Sequence, residues 1–225
     1  MSLVWTEPKA IKIWDYQLLP STYQEVKYIW FSWNQVLETD VNSLTAPFKV
    51  EVTYMKSNWA TSDQTLVGQR QMWKFVNIYN NFYENLWSNT ASWTANWDGL
   101  VHTIVTDSSA WLYKDWTLLL SWTSWDRSSS YPLLIWAFTE DSYSNAKWKF
   151  VGRIYDVKIT SNWSLYRHYV PCYRKSDSVI WMYETQTNTF LTNLWTWLLT
   201  KWNNVSSDRD IKAVYLWTTK IRPSS

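Results

Sequence analysis

Short runs of alternating apolar and polar residues recur along this chain, each closed off by Asn, Asp, Ser, Pro or, unexpectedly, Trp. The clearest are FKVEVTY (48–54), TLVGQR (65–70), KFVNIYNNFY (74–83), LVHTIVT (100–106), WLYK (111–114) and TLLLS (117–121). They continue as PLLIWAF (132–138), FVGRIYDVKIT (150–160), LYRHYVPCY (165–173), VIWMYE (179–184) and TFLTN (189–193). Alternation puts every second side chain on one face of a strand, and β-branched and aromatic residues favour that pleated surface. No window carries a sustained i, i+3, i+4, i+7 stripe of the kind a helix needs. Short strands with frequent turns must stack face to face to bury their apolar sides. The pattern therefore predicts an all-β chain folded as a two-sheet antiparallel β-sandwich or jelly roll.

The turns themselves break the expected grammar. Asn58, Asn96, Asp115 and Asn162 each stand directly before a Trp, where a hairpin would have glycine. A two-residue type I′ turn needs positive φ at both central residues, which is why Asn-Gly and Asp-Gly dominate it. A tryptophan Cβ at such φ crowds the backbone, a cost glycine avoids. The 225 residues include 21 Trp and only 3 Gly, whereas an ordinary composition would supply roughly 16 glycines. The expectation is that many of these tryptophans are glycine codons. Some bacterial lineages and their phages read UGA as glycine, and a common alternative table reads it as tryptophan. Two rival readings are a set of sugar-stacking platforms and a Trp-rich core. A binding face needs a few aromatics at one spacing, whereas these are spread through turns along the whole chain.

The remaining composition excludes several classes. Formal charge is +2 and the basic residues are scattered, so no nucleic-acid partner or anionic membrane surface is implied. No apolar run approaches the roughly 18–20 residues of a membrane span. The opening MSLVWTEPKAIKIWDYQ lacks the basic-then-apolar layout of a signal peptide, so release by phage assembly and lysis is the expected route out of a cell. The single Cys172 leaves no disulfide framework and is read as a small buried apolar residue. Three segments are expected: a strand or linker over 1–17, one domain over 18–202, and a polar linker with a short strand over 203–225.

With Trp116 read as glycine, residues 100–118 become a His-bearing strand followed by a Leu-Tyr-x-Asp-Gly hairpin. That stretch resembles the middle of laminin-G-like, concanavalin A-like jelly-roll domains, with His102, Leu112, Tyr113, Asp115 and Trp116 at the motif positions. FVGRIYDVKI (150–159) is similar to the family's Gly-x-Ile-x-x-Val-x-Ile strand through Gly152, Ile154, Val157 and Ile159, with Asp156 inside it. LPSTYQEVKYIWFSWNQVLETDV (19–41) resembles the opening of a bacterial and phage-encoded group in the family, although Glu38 replaces its usual Asp. YVPCYRKSDSVIWMYETQTNTFLTNLWTWLLTKW (169–202) resembles that group's ending, with Trp181, Trp195, Trp197 and Trp202 at its glycine positions. The resemblance implies a phage tail-associated (virion) or cell-surface protein whose usual partner is a glycan or host-surface polysaccharide, together with other virion or surface proteins.

Candidate chemistry is sparse. Glu38/Asp40 and Asp208/Asp210 have the i, i+2 spacing of glycosidase carboxylates, but neither pair lies in the middle of a strand run, and solvated carboxylates are expected. His102 and His168 are the only histidines, so no His-rich metal site exists, and His102 is expected to be a hydrogen-bonded structural residue. The chain is accordingly expected to be non-enzymatic. Calcium, which some members of the resembled family bind at the sheet rim, has candidate loop ligands in Asp98, Asp107, Asp126 and Asp141. For sugar contact, Arg70, Asn77, Tyr79 and Tyr83 offer fork hydrogen bonds and ring stacking.

Overall fold

The computed structural model describes residues 11–13, 16–31, 36–44, 46–57, 65–69, 78–79, 84–86, 89–91, 99–108, 111–121, 127–128, 132–135, 138–139, 146–147, 150–191 and 200–204. Every regular element among them is a strand. The first are β1 (Ile11–Ile13), β2 (Tyr16–Leu18), β3 (Tyr23–Phe31), β4 (Leu37–Glu38), β5 (Ser43–Leu44), β6 (Phe48–Lys56), β7 (Thr65–Gln69) and β8 (Ile78–Tyr79). Next come β9 (Glu84–Leu86), β10 (Asn89–Ala91), β11 (His102–Asp107), β12 (Trp111–Lys114), β13 (Thr117–Ser121), β14 (Arg127–Ser128) and β15 (Leu133–Ile135). The last are β16 (Phe138–Thr139), β17 (Ala146–Lys147), β18 (Gly152–Ser161), β19 (Ser164–Arg174), β20 (Ile180–Glu184), β21 (Thr189–Phe190) and β22 (Thr200–Asn204).

Ten strands form one antiparallel sheet in the order β13-β12-β11-β6-β18-β3-β19-β20-β21, with β22 paired to β3. A smaller antiparallel sheet runs β4-β15-β7-β8. One apolar cluster draws on both: Val50, Val52, Ile104, Ile154 and Ile159 of the large sheet pack with Leu37, Leu66, Val67, Leu133 and Ile135 of the small one. Two sheets sharing a buried face make the sandwich that the alternation predicts. Each such side chain taken fully out of water contributes about 1.5–3 kcal/mol.

Strand β6 shows the driving pattern plainly. Phe48, Val50, Val52 and Tyr54 are buried, while Lys49, Glu51 and Thr53 between them are half-exposed. In β18 the alternation changes phase: Gly152 and Ile154 are buried, then Val157 and Ile159. A β-bulge between Ile154 and Asp156 inserts Tyr155 and resets the face. The two-residue gap in the Ile-x-x-Val spacing is that bulge, written in sequence. Gly152 opens the strand because a Cβ there would collide with the Met55 carbonyl oxygen. In β3 the alternation also changes phase: Val26 and Tyr28 are buried around exposed Lys27, then Ile29 and Phe31 around half-buried Trp30. β22 extends the large sheet through Asn204, into the stretch that reads as a linker.

Candidate functional site

Two hairpin tips mark the large sheet. In the β12–β13 hairpin Lys114 pairs with Thr117, leaving a two-residue loop of Asp115 (φ 49) and Trp116 (φ 67). In the β18–β19 hairpin Ser161 pairs with Ser164, leaving Asn162 (φ 48) and Trp163 (φ 62). Both are the two-positive-φ turns that right-twisted strands prefer. The sequence expectation for the backbone at these two places is met.

The first tip is clasped to its neighbour. The Asp115 carboxylate lies 2.6 Å from His102 Nδ1 and accepts the Thr103 amide at 2.8 Å, while the Asp115 amide donates to the Thr103 carbonyl at 2.9 Å. Three contacts hold the turn over β11, one of them through His102. Tyr113, half-buried, pairs across to Val105 in the same ladder.

On the outer face of β6, β18 and β19 runs a cross-strand charge ladder. Asp156 bridges His168 Nε2 at 2.6 Å and Lys158 Nζ at 2.8 Å, and Glu51 takes Lys49 at 3.2 Å. Burial alone would raise the Asp156 carboxyl, but His168 and Lys158 outweigh it and hold it below the usual range. Between the sheets, the Arg167 guanidinium grips Asp40 with Nε at 3.0 Å and a terminal nitrogen at 2.6 Å. That hydrogen bond is the main reason the Asp40 carboxyl lies low. The Arg167 fork makes Asp40 a pin joining β4's exit to β19.

Buried Glu184 is equally committed. It accepts the amides of His168 at 2.9 Å and Gln186 at 3.0 Å, and the Thr187 hydroxyl at 2.6 Å, which closes the β20–β21 turn. Cys172 is fully buried, and desolvation pushes its thiol up, away from nucleophilic use.

The concave feature lies at the end of the sheet where the second tip folds over the start of β6. A pocket of about 360 Å³ is lined by Pro47, Phe48, Lys49, Asp107, Ser108, Thr160, Trp163 and Leu165. The Asn162 amide donates to the Pro47 carbonyl at 2.8 Å, the Ser108 amide to the Phe48 carbonyl at 2.9 Å, and the Phe48 amide to Ser108 Oγ at 3.2 Å. These bonds fix the rim's backbone. Lys49 faces both β11 and β18, paired in register with Asp107 and Thr160. The lining thus combines one ammonium, one carboxylate, two hydroxyls and an apolar edge.

Of the sequence-derived ligand candidates, Arg70, Asn77 and Tyr83 lie outside the described residues, and Tyr79 is placed only as the backbone partner of Thr65 at the small sheet's edge. Asp98, Asp126 and Asp141 also lie outside them. Asp107 alone among the calcium candidates is described, on the pocket wall. Among the described residues no group of three or more His, Cys, Asp or Glu side chains could hold a metal ion. Nor does any helix there have the length and apolarity to cross a membrane. The pocket residues Lys49, Ser108, Thr160 and Leu165 had no signal in the sequence, because four separate elements supply the lining. No family model matches the chain, and no characterised protein proves similar to it.

Proposed function

We propose that this chain is a non-enzymatic, laminin-G-like jelly-roll module of a phage tail or cell-surface protein and that it recognises carbohydrate. The observation that carries the reading is the rim pocket, where charged and hydroxyl groups surround an apolar edge on a rigid sandwich. Saccharides present the same mixture, with hydroxyls for fork hydrogen bonds and C–H faces for apolar contact. The His102–Asp115 clasp and the bulged strand from Gly152 supply physical reasons for the two motifs behind the family resemblance. Reading Trp116 and Trp163 as recoded glycine belongs to the same proposal and is supported by their φ values.

A glycan array probed with the full chain carrying glycine at positions 116 and 163 tests the function. Selective binding of a subset of glycans is the expected result, and a uniformly blank array would overturn it. A second reading, a virion assembly domain without sugar binding, is favoured by one specific feature. Leu100, Val101 and Leu118 are exposed beside the first hairpin tip, at the end of the sheet away from the pocket. A blank array together with a stable oligomer, lost when these three are replaced by Ser, would support that alternative.

A further inference from the structure

Trp163 forms one wall of the rim pocket, yet three features of the structure set it apart from a side chain kept for its ring. Its φ of 62° matches the 67° of Trp116 and the 71° of Gly99, the glycine of the chain's own Asp-Gly pair. Its indole is 87% exposed, so little apolar burial offsets the strain of that φ. The backbone also has no slack to relax, because the loop is pinned by the Ser161–Ser164 pairing and by the Asn162 amide on the Pro47 carbonyl.

We infer that in the working protein the rim pocket is open at position 163, where bare glycine backbone stands in place of the indole, and that a neutral saccharide unit enters there across the β18–β19 turn. This rests on the glycan-binding reading and specifies its site. Without the indole the ligand meets Lys49, Asp107, Ser108 and Thr160 directly, with Leu165 beneath it. Lys49 is the single cation of the lining, and Glu51 already pairs with it at 3.2 Å. A uronate or sulfated chain gains no unpaired cation here, whereas a hydroxyl-rich neutral sugar finds an ammonium donor, a carboxylate acceptor and two hydroxyls side by side. Backbone approach without a Cβ is the use to which proteins commonly put glycine at a ligand.

The test compares the full chain with its Trp163→Gly variant by thermal melting and by calorimetric titration with neutral and uronate-containing bacterial envelope oligosaccharides. The expected results are a Tm raised by a few degrees and neutral-glycan affinity tightened about tenfold. Asp107→Asn and Thr160→Val, each made in the Trp163→Gly background, are expected to weaken that binding. A lowered Tm, or parental affinity equal to or better than the variant's, would overturn the inference and make the indole a stacking platform. Glycan binding that both pocket substitutions leave unchanged would place the ligand elsewhere, overturning this site while the broader reading stands. Failure of every form to bind any glycan would overturn both.

Discussion

Trp163 and Trp181 are the same amino acid in opposite situations. Trp163 lies at a hairpin tip with φ 62 and its indole 87% exposed, against the rim of the pocket. Trp181 lies within β20, opposite Cys172, with 0% exposure and its ring edge-on to Phe31 at 5.9 Å. At the core position the indole supplies area and shape that nothing smaller provides. At the tip the backbone conformation is what the fold uses, and the side chain hinders it. The tryptophans of this chain therefore do not form one class. The family resemblance puts Trp181 with Trp195, Trp197 and Trp202 at glycine positions. Of the other three, only Trp202 is described, and it lies in β22 opposite Tyr28. The packing of Trp181 gives it a structural reason to be tryptophan that Trp116 and Trp163 lack.

The largest expected effect breaks the core side of this comparison. Trp181→Gly removes a fully buried ring beside Phe31 and puts glycine inside a strand, so denaturant melts are expected to show a loss of about 4 kcal/mol. A neutral or stabilising outcome would place Trp181 with the tip residues and erase the distinction. Next come the tips themselves. Asp115→Ala loses the contacts to His102 and the Thr103 amide as well as a residue tolerant of positive φ, for a cost of about 2 kcal/mol. Asn162→Ala gives up only the conformational tolerance and is expected to cost about 1 kcal/mol. Equal losses at the two sites would mean that the His102 clasp contributes nothing. With the sign reversed, Trp116→Gly should stabilise by about 1 kcal/mol, since an indole 72% exposed gives up little burial.

The smallest effect concerns the outer face that joins the second tip to the core. The folded carboxyl of Asp156 lies below its unfolded value of about 3.9. Its contribution is therefore fully present above that pH and lost as pH falls through the lower folded value. Asp156→Asn is expected to cost about 1 kcal/mol at neutral pH through lost charge-assisted hydrogen bonds. Its Tm should converge with that of the parent chain as pH drops below about 4. Curves that stay parallel down to strong acid would show that His168 and Lys158 do not stabilise the ionised form.

Sequence pattern reaches far into this fold for a physical reason. In strands such as β6, β12 and β13, the residues that decide pairing are adjacent, and alternation records which face is buried. β3 escaped the same reading because its burial switches phase between Tyr28 and Ile29, which breaks a single period-two pattern. β22 escaped it because a polar edge strand looks like a linker. At the candidate site, His102 and Asp115 were legible as a motif, being joined through one local hairpin. The Asp40–Arg167 pin and the pocket rim were not, since they join residues far apart in sequence that only the folded sheets bring together. The Asn-Trp and Asp-Trp pairs stood out because a turn's steric demand is local, and the turn geometry at 115–116 and 162–163 follows that demand.

Positions 116 and 163 are turn sites whose positive φ suits glycine, and the proposed recoding puts glycine there. Peptide mass spectrometry on the protein made in its native genetic background tests it most directly, by reading the residue that follows Asp115 and the one that follows Asn162. Glycine at both places and tryptophan at 181 is the expected result; tryptophan at 116 and 163 would overturn the recoding.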